Sequence, residues 1–154
     1  MKHGTVTRDL WLDPRFKTLT PQVKLVVLYV LTSPYGNSAH LFRIGPSEIA
    51  LACGLSPKAA RLALNHLCSV GFIAYDFEHE LMWLESQMLA ELGESLKPED
   101  NRIKFLASLC GSLPKCAITA DFLTRFSAPY HLNQKGACKG TSRGHTSQGQ
   151  GQRQ

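Results

Sequence analysis

The stretch from Pro46 to Val70 leaves this chain few ways to fold. It holds two runs of helical periodicity separated by Gly54-Leu55-Ser56-Pro57. The spacing predicts a first helix from about Pro46 to Cys53. Gly54 then takes the sharp turn, because a residue without Cβ reaches positive φ at the least cost. Ser56 and Pro57 are an N-cap followed by a proline at the first helical position, which opens a second helix. Two short helices joined in this way are the layout of a helix-turn-helix, whose second helix can lie in the major groove of DNA.

The side chains agree with the punctuation. Ile49, Ala50 and Cys53 form one apolar face of the first helix. Leu55 bridges the turn, and Ala60, Ala63, Leu64 and Leu67 recur at helical spacing on the second. Small residues at 50, 60 and 63 allow a close crossing. The opposite face of the second helix carries Lys58, Arg61, Asn65 and Ser69, flanked by Leu62 and His66. Arg can donate bidentately to guanine, Asn can pair with adenine, and Lys neutralises phosphate. Ser56 would fix the helix start near a phosphate. The competing reading is a solvated helix face.

The flanking segments complete an architecture. Thr20-Pro21 repeats the cap-plus-proline signal and opens a helix to Thr32, which must stop before Pro34. That helix is apolar nearly all round and should pack on more than one side, as a central helix or at an interface. Residues 1–19 are expected to be irregular or extended, with Trp11, Leu12 and Phe16 as anchors; Asp9, Asp13 and Pro14 argue against a long helix. Leu41 to Ile44 is a candidate strand ending at Gly45-Pro46. Gly71 marks a helix end, Phe72 to Tyr75 a strand, Asp76 to Glu80 a turn and Leu81 to Leu84 the returning strand. The expectation is a mainly α fold with a small β-hairpin wing: a winged helix-turn-helix DNA-binding domain over residues 1–84.

Residues 85–132 read as a short helical extension. A polar, partly helical piece runs to Pro98. A helix over Asn101 to Cys110 stops at Gly111, a turn follows at Leu113 to Cys116, and a last helix spans Ile118 to Phe126. Such short helices should pack on the winged domain or on a second copy, so a homodimer is one possible assembly. Residues 133–154 are rich in Gly, Gln and Ser, with no large apolar side chain, and are expected to be a disordered basic tail.

Charge separates along the chain. Residues 1–77 hold eight Lys/Arg against four Asp/Glu, residues 78–132 five against eight, and the last 22 four against none. Lys17, Lys24 and Arg43 are therefore expected to flank the second helix as phosphate contacts. The hairpin tip, with Asp76, Glu78 and Glu80, would be repelled by phosphate and should face away or meet protein. Five cysteines without a CxxC pair argue for a reducing cytoplasm, and no apolar run is long enough for a membrane span.

Catalysis, a cofactor and a metal are not expected. No phosphate-binding glycine loop occurs. His79-Glu80 starts like a metalloprotease pair, but Trp83 stands where the second histidine is needed. Cys53, His66 and Cys68, like Cys110, Cys116 and His131, fit no zinc-finger spacing.

Several segments together resemble the winged-helix replication-initiation or replisome-organiser proteins of bacteriophages. They are Leu19-Thr20-Pro21 with Leu28 to Tyr35, Leu41-Phe42-Arg43-Ile44, Ile49 with Gly54-Leu55-Ser56, and Gly71 to Asp76. The resemblance continues through Asp100-Asn101, Leu113-Pro114-Lys115-Cys116, Phe122-Leu123 and Tyr130-His131-Leu132, covering roughly residues 11–132. It implies binding to double-stranded DNA near a phage or mobile-element origin in a bacterial host, with helicase or other replication proteins as partners. Such initiators continue into a longer C-terminal region, whereas a low-complexity tail follows here. That departure favours a small DNA-binding or accessory protein. The same fold would also suit a transcriptional regulator or a protein–protein interaction module.

Overall fold

The structure is a computed structural model and describes residues 6–132; the tail expected over 133–154 lies outside the described residues. Among these, helices dominate, with a small antiparallel sheet of three strands. The first surprise is local. The segment expected to be irregular or extended carries no long helix, but folds into a 3-10 turn, Arg8–Leu12, and a one-turn helix α1, Pro14–Lys17. The reason is Asp13, whose carboxylate accepts from the Arg15 amide at 2.8 Å while Pro14 takes the first helical position. The expected anchors are also revised. Phe16 is fully buried, but Trp11 and Leu12 are exposed, and Leu10 and Leu19 fill the core in their place.

Helix α2 spans Pro21–Thr32, capped by the Thr20 hydroxyl. It buries Val26, Val27, Val30 and Leu31 against the next two helices, while Leu25 stays exposed. A loop held by Asn37, whose side-chain amide donates to the Leu41 carbonyl at 2.8 Å, leads into β1, Leu41–Arg43. Helices α3, Pro46–Cys53, and α4, Pro57–Ser69, follow. Strands β2, Ala74–Asp76, and β3, Leu81–Trp83, form a hairpin. β3 is the central strand, antiparallel to both neighbours, with Met82 opposite Phe42 on one side and Tyr75 on the other.

Three more helices complete the fold: α5, Glu85–Leu92, α6, Arg102–Ser112, and α7, Ala117–Phe126. α6 runs through Gly111, where a stop was expected. Gly costs a helix only about 1 kcal/mol relative to Ala, and Gly111 sits within the last turn where that cost is small.

The sheet divides two cores. Strand side chains alternate between faces, so Phe42 and Met82 join Val26, Val30, Ile49, Leu64 and Leu67 on the side of α2 to α4. Leu41, Leu81 and Trp83 point the other way, into a second core with Met88, Leu106, Phe122, Phe126 and Tyr130. The C-terminal helices thus pack on the back of the sheet. Tyr130 closes this layer: it is fully buried and its hydroxyl donates to the Gly93 carbonyl at 2.6 Å.

Candidate nucleic-acid interface

The turn between α3 and α4 has the geometry its residues require. Gly54 is left-handed at φ 65°, ψ 35°, and the Leu55 amide donates to the Ala50 carbonyl at 2.8 Å. The Ser56 hydroxyl accepts from the Ala59 amide at 3.1 Å, starting α4 in one defined place. Ser56→Ala should therefore lower stability by about 1 kcal/mol. Urea denaturation checks this, and a loss under a few tenths would mean that solvent satisfies the helix start equally well.

α4 buries Ala60, Ala63, Leu64 and Leu67 and turns Lys58, Arg61, Leu62, Asn65 and His66 to solvent. Positions 58, 61 and 65 lie on one stripe of the helix. Among the described residues, none of these three side chains enters an ion pair. Arg8 and Arg43 likewise enter none, whereas three other described arginines are paired. Arg15 is bound to Asp13, Arg102 to Asp100, and Arg125 to Glu85 and Asp121.

Arg61 has an aromatic partner instead. Its guanidinium lies 4.6 Å from the centroid of Phe77 in the hairpin turn. Phe77 in turn packs edge-to-face on Tyr75 at 4.7 Å, and the Tyr75 hydroxyl donates to the Ile44 carbonyl at 2.6 Å. Burial, and next the nearby Glu80 carboxylate, push the Tyr75 hydroxyl well above its ordinary value, so it remains a donor throughout the physiological range. A stacked guanidinium keeps its in-plane N–H groups free while losing rotational freedom. α4 and the hairpin are joined through this row. Phe77 was not singled out from the sequence, because its neighbour on α4 depends on how the hairpin folds back.

The other expected contacts separate. Lys24 Nζ donates to the Lys17 carbonyl at 3.3 Å and lies 5.5 Å from the Phe16 ring, so Lys17 and Lys24 come together at the start of α2. Gln22 and Val23 beside them share a shallow cleft with Leu55, Ala59, Leu62 and Ala63. Arg43 is elsewhere. Alternation along β1 sends it to the face of Leu41, away from the face that Phe42 and α4 share. It is exposed, but the structure does not bring it onto the α4 stripe.

The hairpin's carboxylates are largely engaged within the fold. Asp76 Oδ1 accepts from the Glu78 and His79 amides at 2.8 and 2.9 Å, and those backbone bonds hold its carboxyl below the usual range. Glu80 has positive φ, 51°, and its carboxylate rests on Gly45, where an added Cβ would stand 2.9 Å from either oxygen. That places it beside the N-terminus of α3, a favourable position for negative charge.

One further arginine matters to the frame. Arg15 donates to the Gly71 carbonyl at 2.7 Å and lies over the Phe72 ring at 5.2 Å, tying α1 to the end of α4. The Asp13-Pro14 pair was its only sequence signal. Comparison of the chain with protein-family models, curated proteins and solved structures finds no match.

Proposed function

We propose that the chain is a winged helix-turn-helix protein that binds double-stranded DNA sequence-selectively through α4, in the initiation of phage or mobile-element replication. One observation carries the DNA reading. The exposed stripe of α4 presents Lys58, Arg61 and Asn65 without carboxylate partners, on a helix whose other face is fixed in the core. The helix, strand, helix, helix, hairpin order and the β1-β3-β2 sheet support the winged fold. In this reading Asn65 and Arg61 meet base edges, Lys58 and the Ser56 end of the helix meet phosphate, and Lys17 and Lys24 supply flanking charge. Arg43 serves a different surface. The replication role rests on the family resemblance alone.

The test is a salt titration of the full-length protein on random duplex, followed by footprinting on its own locus. Affinity should fall steeply with salt, and Lys58→Ala should reduce the slope of log K against log salt by about 1. Protection over repeats at an origin supports initiation, whereas protection over a promoter supports a transcriptional regulator. Failure to bind duplex at low salt overturns the DNA reading. The rival is then a protein-interaction module, which two features favour: Leu51 on α3 is 87% exposed and Leu62 on α4 is 60% exposed.

A further inference from the structure

We propose that Asp76, His79 and Cys116 form a binding site for a divalent ion of the zinc class, which clips the hairpin turn to the start of α7. Asp76 and His79 come from the hairpin, and Cys116 comes from the C-terminal layer. The fold brings one donor atom from each to within 4.8 Å of the other two, all half-buried. Zinc binds S at about 2.3 Å and N or O at about 2.0–2.2 Å, so neighbouring ligand atoms in a tetrahedral site stand roughly 3.2–3.8 Å apart. Asp76 Oδ2 and His79 Nδ1 already stand at such a spacing, and Cys116 Sγ must approach by up to about 1 Å to complete it.

The surroundings orient each donor. Asp76 Oδ1 is held by two backbone amides, and Oδ2 shares a hydrogen bond with His79 Nδ1 at 3.2 Å, a contact the ion would replace. Cys116 is the N-cap of α7, yet its side chain caps nothing and its Sγ stays available. Thr119, the buried polar residue of this layer, lies with its hydroxyl 3.4 Å from Cys116 Sγ and can donate to it. Such outer hydrogen bonds orient metal ligands.

The donor set selects the ion. A thiolate with an imidazole favours zinc, cobalt or nickel over magnesium or calcium. One carboxylate and one thiolate balance a 2+ charge, and three protein ligands leave a fourth position for water. Contact between α7 and β2 already places the two segments side by side. The ion would lock a turn that also carries Phe77, the partner of Arg61.

The experiment is titration of metal-free, full-length protein with Co²⁺, read by its absorption spectrum, and then with Zn²⁺. The expected result is one Co²⁺ per chain, with a thiolate-to-cobalt charge-transfer band that Zn²⁺ abolishes. Cys116→Ser should remove the band and Cys110→Ser should leave it. His79→Gln in the hairpin turn and Asp76→Asn at the end of β2, both outside the two cores, should each weaken binding at least tenfold with the apo far-UV spectrum unchanged. Absence of the thiolate band in the unaltered protein overturns the proposal. So does a band of equal affinity in Cys116→Ser, which would put the metal on other cysteines.

Discussion

Replacing Trp83 with alanine lowers the unfolding free energy by about 3–5 kcal/mol, the largest single-site loss expected in this chain. Trp83 is 2% exposed at the end of the central strand, paired with Leu41 on one side and Ala74 on the other. Its ring meets Phe122 and Phe126 edge-to-face at 5.7 and 6.0 Å, with the Arg125 guanidinium 5.7 Å from its centroid. Removing it opens a cavity where sheet and C-terminal helices join. Trp83→Phe behaves differently. The indole N–H has no partner among the described residues, and removing a buried donor in that state recovers about 1–3 kcal/mol. This offsets the smaller ring, so Trp83→Phe should stay within about 1.5 kcal/mol of the parent. Urea denaturation followed by far-UV circular dichroism, with an unchanged m-value, is the measurement. A loss below about 1 kcal/mol for the alanine variant would show that the back of the sheet is not a packed core.

Arg61→Ala should weaken specific duplex binding by about 1–3 kcal/mol and relax preference at one base pair. Folding stability should change by less than about 1 kcal/mol, since an exposed cation–π contact is worth roughly 0.5–1. Phe77→Leu separates the contributions. It removes the aromatic face that restrains the guanidinium while leaving the guanidinium itself. A smaller loss of affinity, with base preference retained, is expected. Binding of the parent and both variants to the footprinted site and to a scrambled site provides the comparison. Equal affinity and equal preference in Arg61→Ala would remove Arg61 from the interface and leave Lys58 and Asn65 to carry it.

The elements bounded by local chemistry were legible in the sequence. Thr20-Pro21, Gly54 and Ser56-Pro57 each act within three or four residues, and α2, α3 and α4 begin or end where those residues stand. Asp13-Pro14 is the same signal as Thr20-Pro21, but it opens a single turn, too short for apolar periodicity to reveal. Trp11 and Leu12 show the limit of reading hydrophobicity as burial: in a 3-10 turn only Leu10 points inward. The parity of Leu41 and Arg43 was present in the sequence, but the face it implied needed the second core to be known. Phe77 beside Arg61, and Cys116 beside Asp76 and His79, were not legible. Each pairing depends on how two separate segments are laid together, and no spacing rule encodes that.

The alternation of β3 has a consequence for how the protein can be cut. Because Met82 serves one core while Leu81 and Trp83 serve the other, the strand is a party wall rather than an outer wall. A fragment ending at Leu84 would keep α3 and α4 with their turn yet present Leu41, Leu81 and Trp83 to water on a sheet with open edges. The sequence boundary near residue 84 is therefore not a boundary of cooperativity. The part that would read DNA and the part behind it should melt together, and a partner gripping the rear helices would be felt at the hairpin.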